Sequence, residues 1–248
     1  MVAAVKVVGM MRLRNEARWI ERVLESIRGV CSEVHVLDDH STDGTGDLCR
    51  GAGAIVHNTP FAVGLNETRD KNFLLDQVRK SAPEWVLHID GDEELAADGP
   101  ARIAELVRDP AAVCYHFRVL YLWDSPEQYR RDGVYGRFRR ESLFRLTRDR
   151  FSSTPNGGNF HCGNSPRELR RRSIISDVRL LHYGYMDAAD RIRKYGWYNS
   201  HDPRNAAEDG YRHMVIGDVF PAESVFRFGG PLDLAPVSSY PSALSIAA

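Results

Sequence analysis

Two aspartates one residue apart follow a short apolar run in the first half of the chain. The run is Trp85 to Ile89, and Asp90-Gly91-Asp92-Glu93 comes directly after it. Such a run is typical of a buried strand, and Gly91 lets the backbone turn sharply between the carboxylates. Clustered carboxylates repel each other unless a cation or a proton compensates them. The pattern therefore indicates Mg²⁺ or Mn²⁺ shared with a diphosphate, although a solvated turn explains these residues equally well.

A second group of acids lies in the segment from Val36 to Thr45, which continues another predicted strand. A carboxylate at a strand end can accept hydrogen bonds from a nucleotide base or from ribose hydroxyls. An aspartate in a turn can instead bond to nearby backbone N–H groups and hold the loop. Asp38 and Asp39 fit either use, whereas Ser41 and Asp43 are expected to shape the turn into the next helix.

An alternation of strands and helices must position these acids. Apolar runs predict strands at Val5–Met11, Glu33–Leu37, Ala54–His57 and Trp85–Ile89, and helical spacing predicts helices at Asn15–Ile27, Thr45–Arg50 and Asn66–Lys80. This order predicts an α/β fold with a largely parallel sheet and helices on both faces. Open sheets of this kind bind ligands at the carboxyl ends of their strands. In the second half we expect strands at Val113–Trp123, Ser142–Leu146 and Val178–Tyr183, and a helix at Asp187–Asn199.

The composition restricts the class of protein. The 248 residues carry a formal net charge of −1, which argues against a protein that mainly neutralises nucleic acid phosphates. The four cysteines have no zinc-ligand spacing and fit a reducing cytosol. The chain shows neither a signal peptide pattern nor an apolar run of membrane-spanning length. We therefore expect a soluble cytoplasmic protein, with a peripheral membrane contact left open.

Three segments, in this order along the chain, resemble glycosyltransferases of the GT-A type in family 2. They are Met11–Ala17 after the first strand, Val36–Thr45 after the second, and the acidic Asp90-Gly91-Asp92. A late run, Leu181–Tyr185, resembles a subgroup with a His-x-Gly-Tyr stretch after the acceptor region. The resemblance covers about the first hundred residues well and the second half more weakly.

The resemblance implies a GT-A fold, which is a Rossmann-like, three-layer α/β/α sandwich around a mixed, mainly parallel sheet. It places one catalytic domain at residues 1–228, with a nucleotide-sugar half at 1–100 and an acceptor half at 101–228. Residues 229–248, which hold three prolines and several serines, are expected to form a loosely ordered tail.

The same resemblance implies a reaction. A metal-dependent hexosyltransferase would move a hexose from a nucleotide-diphosphate sugar, most simply a UDP-sugar, to a hydroxyl acceptor with inversion. The identity of the acceptor is left open among a glycan, a lipid-linked glycan, a peptide and a small molecule. Nucleic acid is not expected as the acceptor. Oligomeric state is left open.

Site residues follow from the resemblance. In the metal site, Asp92 is the preferred ligand, Asp90 binds metal or ribose beside Gly91, and His182 completes the set. One of Asp38 and Asp39 contacts the donor. The basic residues expected to face the donor are Arg12, Arg14, Arg69 and Lys71, for which a solvated surface is almost as good an interpretation.

The catalytic base is the weakest part of the resemblance. An inverting transferase needs a base for the acceptor hydroxyl, and in the family it is an acid between the metal motif and the late histidine. Here the corresponding stretch is Asn159–Asn164, with Cys162 where the acid is expected. The candidates are His161, ranked first, then Glu168 and Asp177. Acids on other loops, such as Asp124 or Asp132, also remain candidates.

Two other functions compete with this interpretation. A nucleotidyltransferase would also use a carboxylate-bound metal, but we expect it to carry a Gly-rich loop after the first strand. Residues 11–17 contain no glycine. A non-catalytic nucleotide-sugar-binding protein would fit the missing acid beside His161.

Overall fold

The computed structural model describes residues 5–153 and 162–241. The chain divides into two compact units. The first comprises Met1–Phe117 and Arg140–Val178, and the second comprises Arg118–Arg139 and Arg179–Ala248. A single domain divided near residue 100 stays a prediction.

The elements follow one another in mixed order. The first half contains β1 (Val7–Leu13), α1 (Ile20–Ser26), β2 (Glu33–Asp38), α2 (Thr45–Gly51), β3 (Ile55–Asn58), α3 (Glu67–Lys80), β4 (Trp85–His88), β5 (Glu93–Leu95), α4 (Gly99–Leu106) and β6 (Cys114–Trp123). The second half contains β7 (Ser125–Arg130), β8 (Arg139–Arg145), α5 (Arg167–Arg170), β9 (Ile174–His182), α6 (Ala188–His201), α7 (Pro203–Ala207) and β10 (Leu234–Pro236). Two short 3₁₀ helices occupy Arg212–Val215 and Val237–Ser239.

Strand β1 lies at the centre of the sheet in the first unit. It pairs in parallel with β2 and with β4, and β2 pairs in parallel with the edge strand β3. Strand β8 pairs with β4 in the antiparallel direction. The predicted α/β class with a mixed, mainly parallel sheet is therefore confirmed, and the four strands predicted in the first ninety residues are all present.

The core of this unit is built by apolar strands and one face of helix α3. All four residues of β4 are buried, which is why its sequence shows no alternation of polar and apolar residues. Helix α3 buries Leu74, Leu75 and Val78 in the same cluster as Val8 and Val86. Burying side chains of this size stabilises a fold by roughly 1.5–3 kcal/mol each.

The second unit is organised around a buried tryptophan. Strand β7 pairs in the antiparallel direction with β6 and with β10. Two buried guanidinium groups lie over the ring of Trp123, with Arg130 at 4.5 Å and Arg191 at 4.2 Å from its centroid. Arg130 pairs with Asp132 and Arg191 with Asp218, because a buried charge is tolerated only when it is paired. In the described part of the chain, the helices are all too short or too polar to cross a bilayer.

Candidate functional site at the carboxyl edge of the sheet

The carboxyl ends of β1, β2 and β4 meet at one edge of the sheet. The three strands are parallel, with Leu13 beside Asp38 in one pair and Met10 beside His88 in the other. The two acidic segments predicted to bind a nucleotide therefore begin at the same edge, where such sheets bind ligands.

Hydrogen bonds connect the loop after β1 to the loop after β2. The Asn15 side chain accepts the N–H of Thr42 at 2.8 Å, and Asp43 accepts the N–H of Ala17 at 3.0 Å. Burial by itself would raise the pKa of Asp43, but its bonds to Thr45 and Ala17 outweigh this effect and lower it. Asp43 thus holds the loop, in the turn-shaping position expected for it.

The two neighbouring aspartates after β2 occupy different environments. Asp38 accepts the N–H of Ser41 at 3.0 Å, and its other oxygen lies so close to Gly46 that a Cβ there would be 2.5 Å away. Asp39 is 2% exposed, and one of its oxygens accepts an N–H of Arg12 at 2.5 Å. Its other oxygen has no hydrogen-bond partner among the described residues. Asp39 is thus the member of the pair that has a buried carboxylate oxygen without a hydrogen-bond partner among the described residues.

A series of ion pairs holds Asp39 in place. Arg12 also donates to Asp70 at 2.9 Å, and Arg69 donates to the other Asp70 oxygen at 2.8 Å. Asp70 is wholly buried, so two predicted donor-binding arginines are engaged by a buried acid. Sequence reasoning missed Asp70, although it stands four residues before Leu74 on the apolar face of α3. Arg14, the remaining arginine of this loop, is exposed.

The acidic turn after β4 is held by an arginine of β8. Arg140 donates to Asp90 at 2.8 Å and also bonds to Glu93. Glu93 is wholly buried and accepts the N–H of Asp90 at 3.0 Å, which closes the turn. Burial by itself would raise the pKa of Asp90, but the positive charge of Arg140 outweighs it and holds that pKa below its usual range.

Gly91 fits this turn because there is no room for a side chain. A Cβ at this position would lie 2.7 Å from side-chain carbons of both Glu16 and Leu13. Carbon atoms do not approach so closely without displacement of their neighbours. The glycine therefore lets the turn pack against the loop that follows β1.

The donor chemistry of this turn fits Mg²⁺ or Mn²⁺. Asp90, whose side chain is 43% exposed, and the buried Asp92 both offer the oxygen ligands that these cations prefer. Within residues 5–153 and 162–241, no three His, Cys, Asp or Glu side chains are grouped to hold an ion by themselves. Water or a diphosphate would therefore supply the remaining ligands. His182 lies in the second unit, where its Nδ1 accepts the Gly184 N–H at 3.1 Å.

Lys71 differs from its predicted role. Its buried ammonium donates to the Cys162 carbonyl at 2.9 Å and to Asn164 Oδ1 at 3.2 Å, and it lies 3.4 Å from both Gly163 O and Glu67 Oε2. An ammonium has three hydrogens, so these acceptors leave none for a diphosphate. Lys71 therefore anchors residues 162–164 to α3.

His88 supports the same segment from β4. Its Nδ1 lies 2.9 Å from the Asn164 carbonyl oxygen, and the side chain is wholly buried. Burial lowers the pKa of His88 to about 3. The imidazole is therefore neutral at physiological pH and donates to the carbonyl through Nδ1. Sequence reasoning missed this contact, because its partner lies 76 residues away.

The candidate bases are distributed over different environments. His161 lies outside the described residues. Glu168 is exposed on α5, and its carboxylate has no hydrogen bond or ion pair to any described residue. Asp177 pairs with Arg102 of α4 at 2.8 Å. The two other acids considered, Asp124 and Asp132, are paired with Arg191 and Arg130 respectively.

A mixed, mainly parallel α/β sheet with carboxylates at its carboxyl edge is characteristic of α/β proteins that bind their ligands at that edge. Comparison with protein families identifies a more specific group. The family model described as Glycosyl transferase family 2 matches residues 11–177. The chain belongs to this family. The resemblance to family 2 glycosyltransferases is thus confirmed, and with it the GT-A fold.

Similar proteins are known from several bacteria. An uncharacterized glycosyltransferase of Rickettsia typhi is 24% identical over 79% of this chain and 66% of its own length. An uncharacterized protein of Mycobacterium tuberculosis is 25% identical over 93% of this chain and 64% of its own length. The chain thus spans slightly less than two thirds of these relatives. Glucosyl-3-phosphoglycerate synthase of M. tuberculosis, solved with Mn²⁺ and UDP, is 22% identical over 47% of this chain and 44% of its own, with a TM-score of 0.36.

Proposed function

We propose that this chain is a metal-dependent hexosyltransferase that uses a UDP-sugar and inverts the configuration of the transferred sugar. One observation supports the proposal most strongly. The buried Asp39, with an unused carboxylate oxygen, and the Asp90-Gly91-Asp92 turn lie at one sheet edge in a member of a glycosyltransferase family. A carboxylate that recognises the nucleotide base and a cation site that binds the diphosphate, both at one sheet edge, match the two ends of a nucleoside diphosphate.

Asp39 is proposed to read the base. Its unused oxygen can accept the N–H that uracil presents between its two carbonyl groups, whereas cytosine presents a bare nitrogen at the same position. Arg12 binds the other Asp39 oxygen and is itself held by Asp70. The carboxylate is therefore fixed in direction before the nucleotide arrives, which reduces the loss of conformational freedom on binding.

The acidic turn is proposed to hold the cation. Asp92 would bind it, and Asp90 would bind it or the ribose. The ligand role of His182 stays a prediction from the family resemblance. When bound, the cation would neutralise charge that develops on the departing diphosphate. Arg140 offsets the repulsion between the acids of this turn.

A base must take the proton of the acceptor hydroxyl. His161 remains the first candidate, because an imidazole is a competent base near neutral pH. Asp177 is a less accessible candidate, because its carboxylate is already engaged by Arg102. Glu168 is a further candidate on the exposed face of α5. Single His161→Ala, Glu168→Gln and Asp177→Asn variants should separate these roles, since loss of the base abolishes transfer but leaves donor binding intact.

Donor binding provides the first test. UDP-glucose, UDP-galactose and GDP-mannose are added with and without Mn²⁺, and the melting temperature is measured. We expect stabilisation by a UDP-sugar that requires Mn²⁺ and that Asp39→Asn and Asp92→Asn both weaken. Asp47→Asn, at a carboxylate 89% exposed on α2, is the matched control. An unchanged response of Asp39→Asn and Asp92→Asn would contradict the proposal.

Product analysis separates the competing functions. A transferase releases UDP in step with the loss of an acceptor, whereas a nucleotidyltransferase releases pyrophosphate from a nucleoside triphosphate. A binding protein would be stabilised by the UDP-sugar but release neither product with any glycan, lipid-linked, peptide or small-molecule acceptor. Either of the last two results would refute the proposed activity.

A further inference from the structure

A short surface segment of the first unit combines unpaired cations with exposed aliphatic side chains. We call residues 167–175, which include α5 and the start of β9, the Arg-Ile segment. Arg167, Arg171 and Arg172 are exposed in it, and their guanidinium groups have no hydrogen bond or ion pair with the residues that the structure describes. Ile174 and Ile175 follow directly and are 43% and 67% exposed.

Two other residues of the same segment fix it to the protein. Leu169 is 5% exposed and belongs to the core cluster of the unit. Arg170 donates twice to the Ser165 carbonyl, at 3.0 and 3.2 Å, and packs against Gly163. The segment is thus anchored through Leu169 and Arg170, and its other arginines and its two isoleucines are exposed on a segment that is held in place.

The exposed isoleucines and the unpaired arginines of this segment are informative only in combination. Single exposed isoleucines are common on soluble proteins, and arginines are ordinarily solvated. Here three unpaired cations and two aliphatic side chains share nine residues, and Glu168 is the one acid among them. A partner that satisfies both must present anionic groups next to an apolar phase.

We propose that the Arg-Ile segment binds an anionic lipid surface. The arginines contact headgroup phosphates, and the isoleucines insert into the acyl boundary, as in other interfacial segments. Nucleic acid matches the charge but offers no apolar phase to the two isoleucines, so it fits the surface less well. The contact is peripheral and reversible, because the segment is short. It does not depend on the proposed sugar transfer.

Vesicle binding tests the proposal with the full chain. Sedimentation is measured with phosphatidylcholine vesicles and with vesicles containing phosphatidylglycerol, at low and at high salt. We expect binding to the anionic vesicles that falls as salt rises. Arg171→Gln combined with Arg172→Gln should weaken it ~30-fold, from the usual contribution of an arginine near an anionic surface. Ile174→Ser combined with Ile175→Ser should weaken it about tenfold through lost apolar burial.

Matched controls use exposed residues of the same types elsewhere. Arg108→Gln, on the same unit, and Val225→Ser, at a side chain 71% exposed, should leave vesicle binding unchanged. Equal binding to both kinds of vesicle, no binding to either, or controls that weaken binding as much as the segment variants would overturn the proposal. Binding to RNA that survives the isoleucine substitutions while vesicle binding is absent would identify nucleic acid as the partner instead.

Discussion

Arg140→Met should destabilise the protein mainly through Glu93. In the native structure Arg140 bonds to both Asp90 and Glu93, and Glu93 is wholly buried whereas Asp90 is 43% exposed. Methionine fills much of the arginine's volume but supplies no charge, so it leaves the buried carboxylate uncompensated.

The magnitude follows from the difference in burial. Loss of one partner of a buried ion pair costs about 3–5 kcal/mol, whereas an exposed pair contributes roughly 0–1 kcal/mol. Nearly all of the effect of Arg140→Met is therefore assigned to Glu93. Glu93→Gln keeps an oxygen for the Asp90 N–H but removes the charge, so Arg140→Met combined with Glu93→Gln should recover about 2–4 kcal/mol relative to the sum of the two single variants.

Urea unfolding at pH 7 measures all four proteins of this double-mutant cycle. The free energy of unfolding is extrapolated to water for each, with the slope checked for constancy. A loss below about 1 kcal/mol for Arg140→Met, or a double variant that equals the sum of the singles, would refute the assignment of a buried ion pair. Glu94→Gln, at the next residue, serves as the control.

Three further predictions concern the support of the site. Lys71→Met should lower the free energy of unfolding by about 2–4 kcal/mol, since it leaves buried acceptors unpaired, and should speed hydrogen exchange at residues 162–164. The exposed Lys80→Met should change neither. Gly91→Ala should lower that free energy by about 1–3 kcal/mol in urea unfolding, because the added methyl group overpacks the turn, and a neutral result would contradict this crowding. The folded-state pKa of His88, about 3, lies below the unfolded value of 6.5, so stability falls as pH drops from 6.5 towards 3. Between pH 7 and 5 this amounts to about 2 kcal/mol, and unfolding of His88→Phe should lack that part of the pH dependence.

The sequence predicted the sheet of the first unit because its strands are continuous apolar runs. Strand β4 and the acids after it stand out by composition, and parallel pairing then places Asp39 and Asp90 at one edge. The strands that were missed are short and polar. Ser125–Arg130 contains Pro126, and Glu93–Leu95 has two glutamates in three residues.

The predicted start of the first helix was early by five residues. Helical spacing suggested Asn15, but α1 begins at Ile20. The intervening residues bond instead to the loop after β2, with the Glu16 N–H donated to Thr45 at 2.8 Å. A contact between segments almost thirty residues apart overrode the local preference, which periodicity cannot register.

The role of Lys71 was missed for a related reason. Besides Glu67, its acceptors are main-chain and side-chain oxygens 91 to 93 residues further along the chain. A single cation on a helix gives no indication of such partners. The buried Asp70 could have been found, because it stands in the apolar stripe of α3 with Leu74 and Val78.

The buried tryptophans provide an optical reporter for each unit. Trp85 is wholly buried in the first unit, and Trp123 contacts two guanidinium groups in the second. The two other tryptophans, Trp19 and Trp197, are more exposed. In proteins that retain only Trp85 or only Trp123, fluorescence follows the unfolding of one unit at a time. Coincident transitions identify one cooperative structure, and separate transitions identify two.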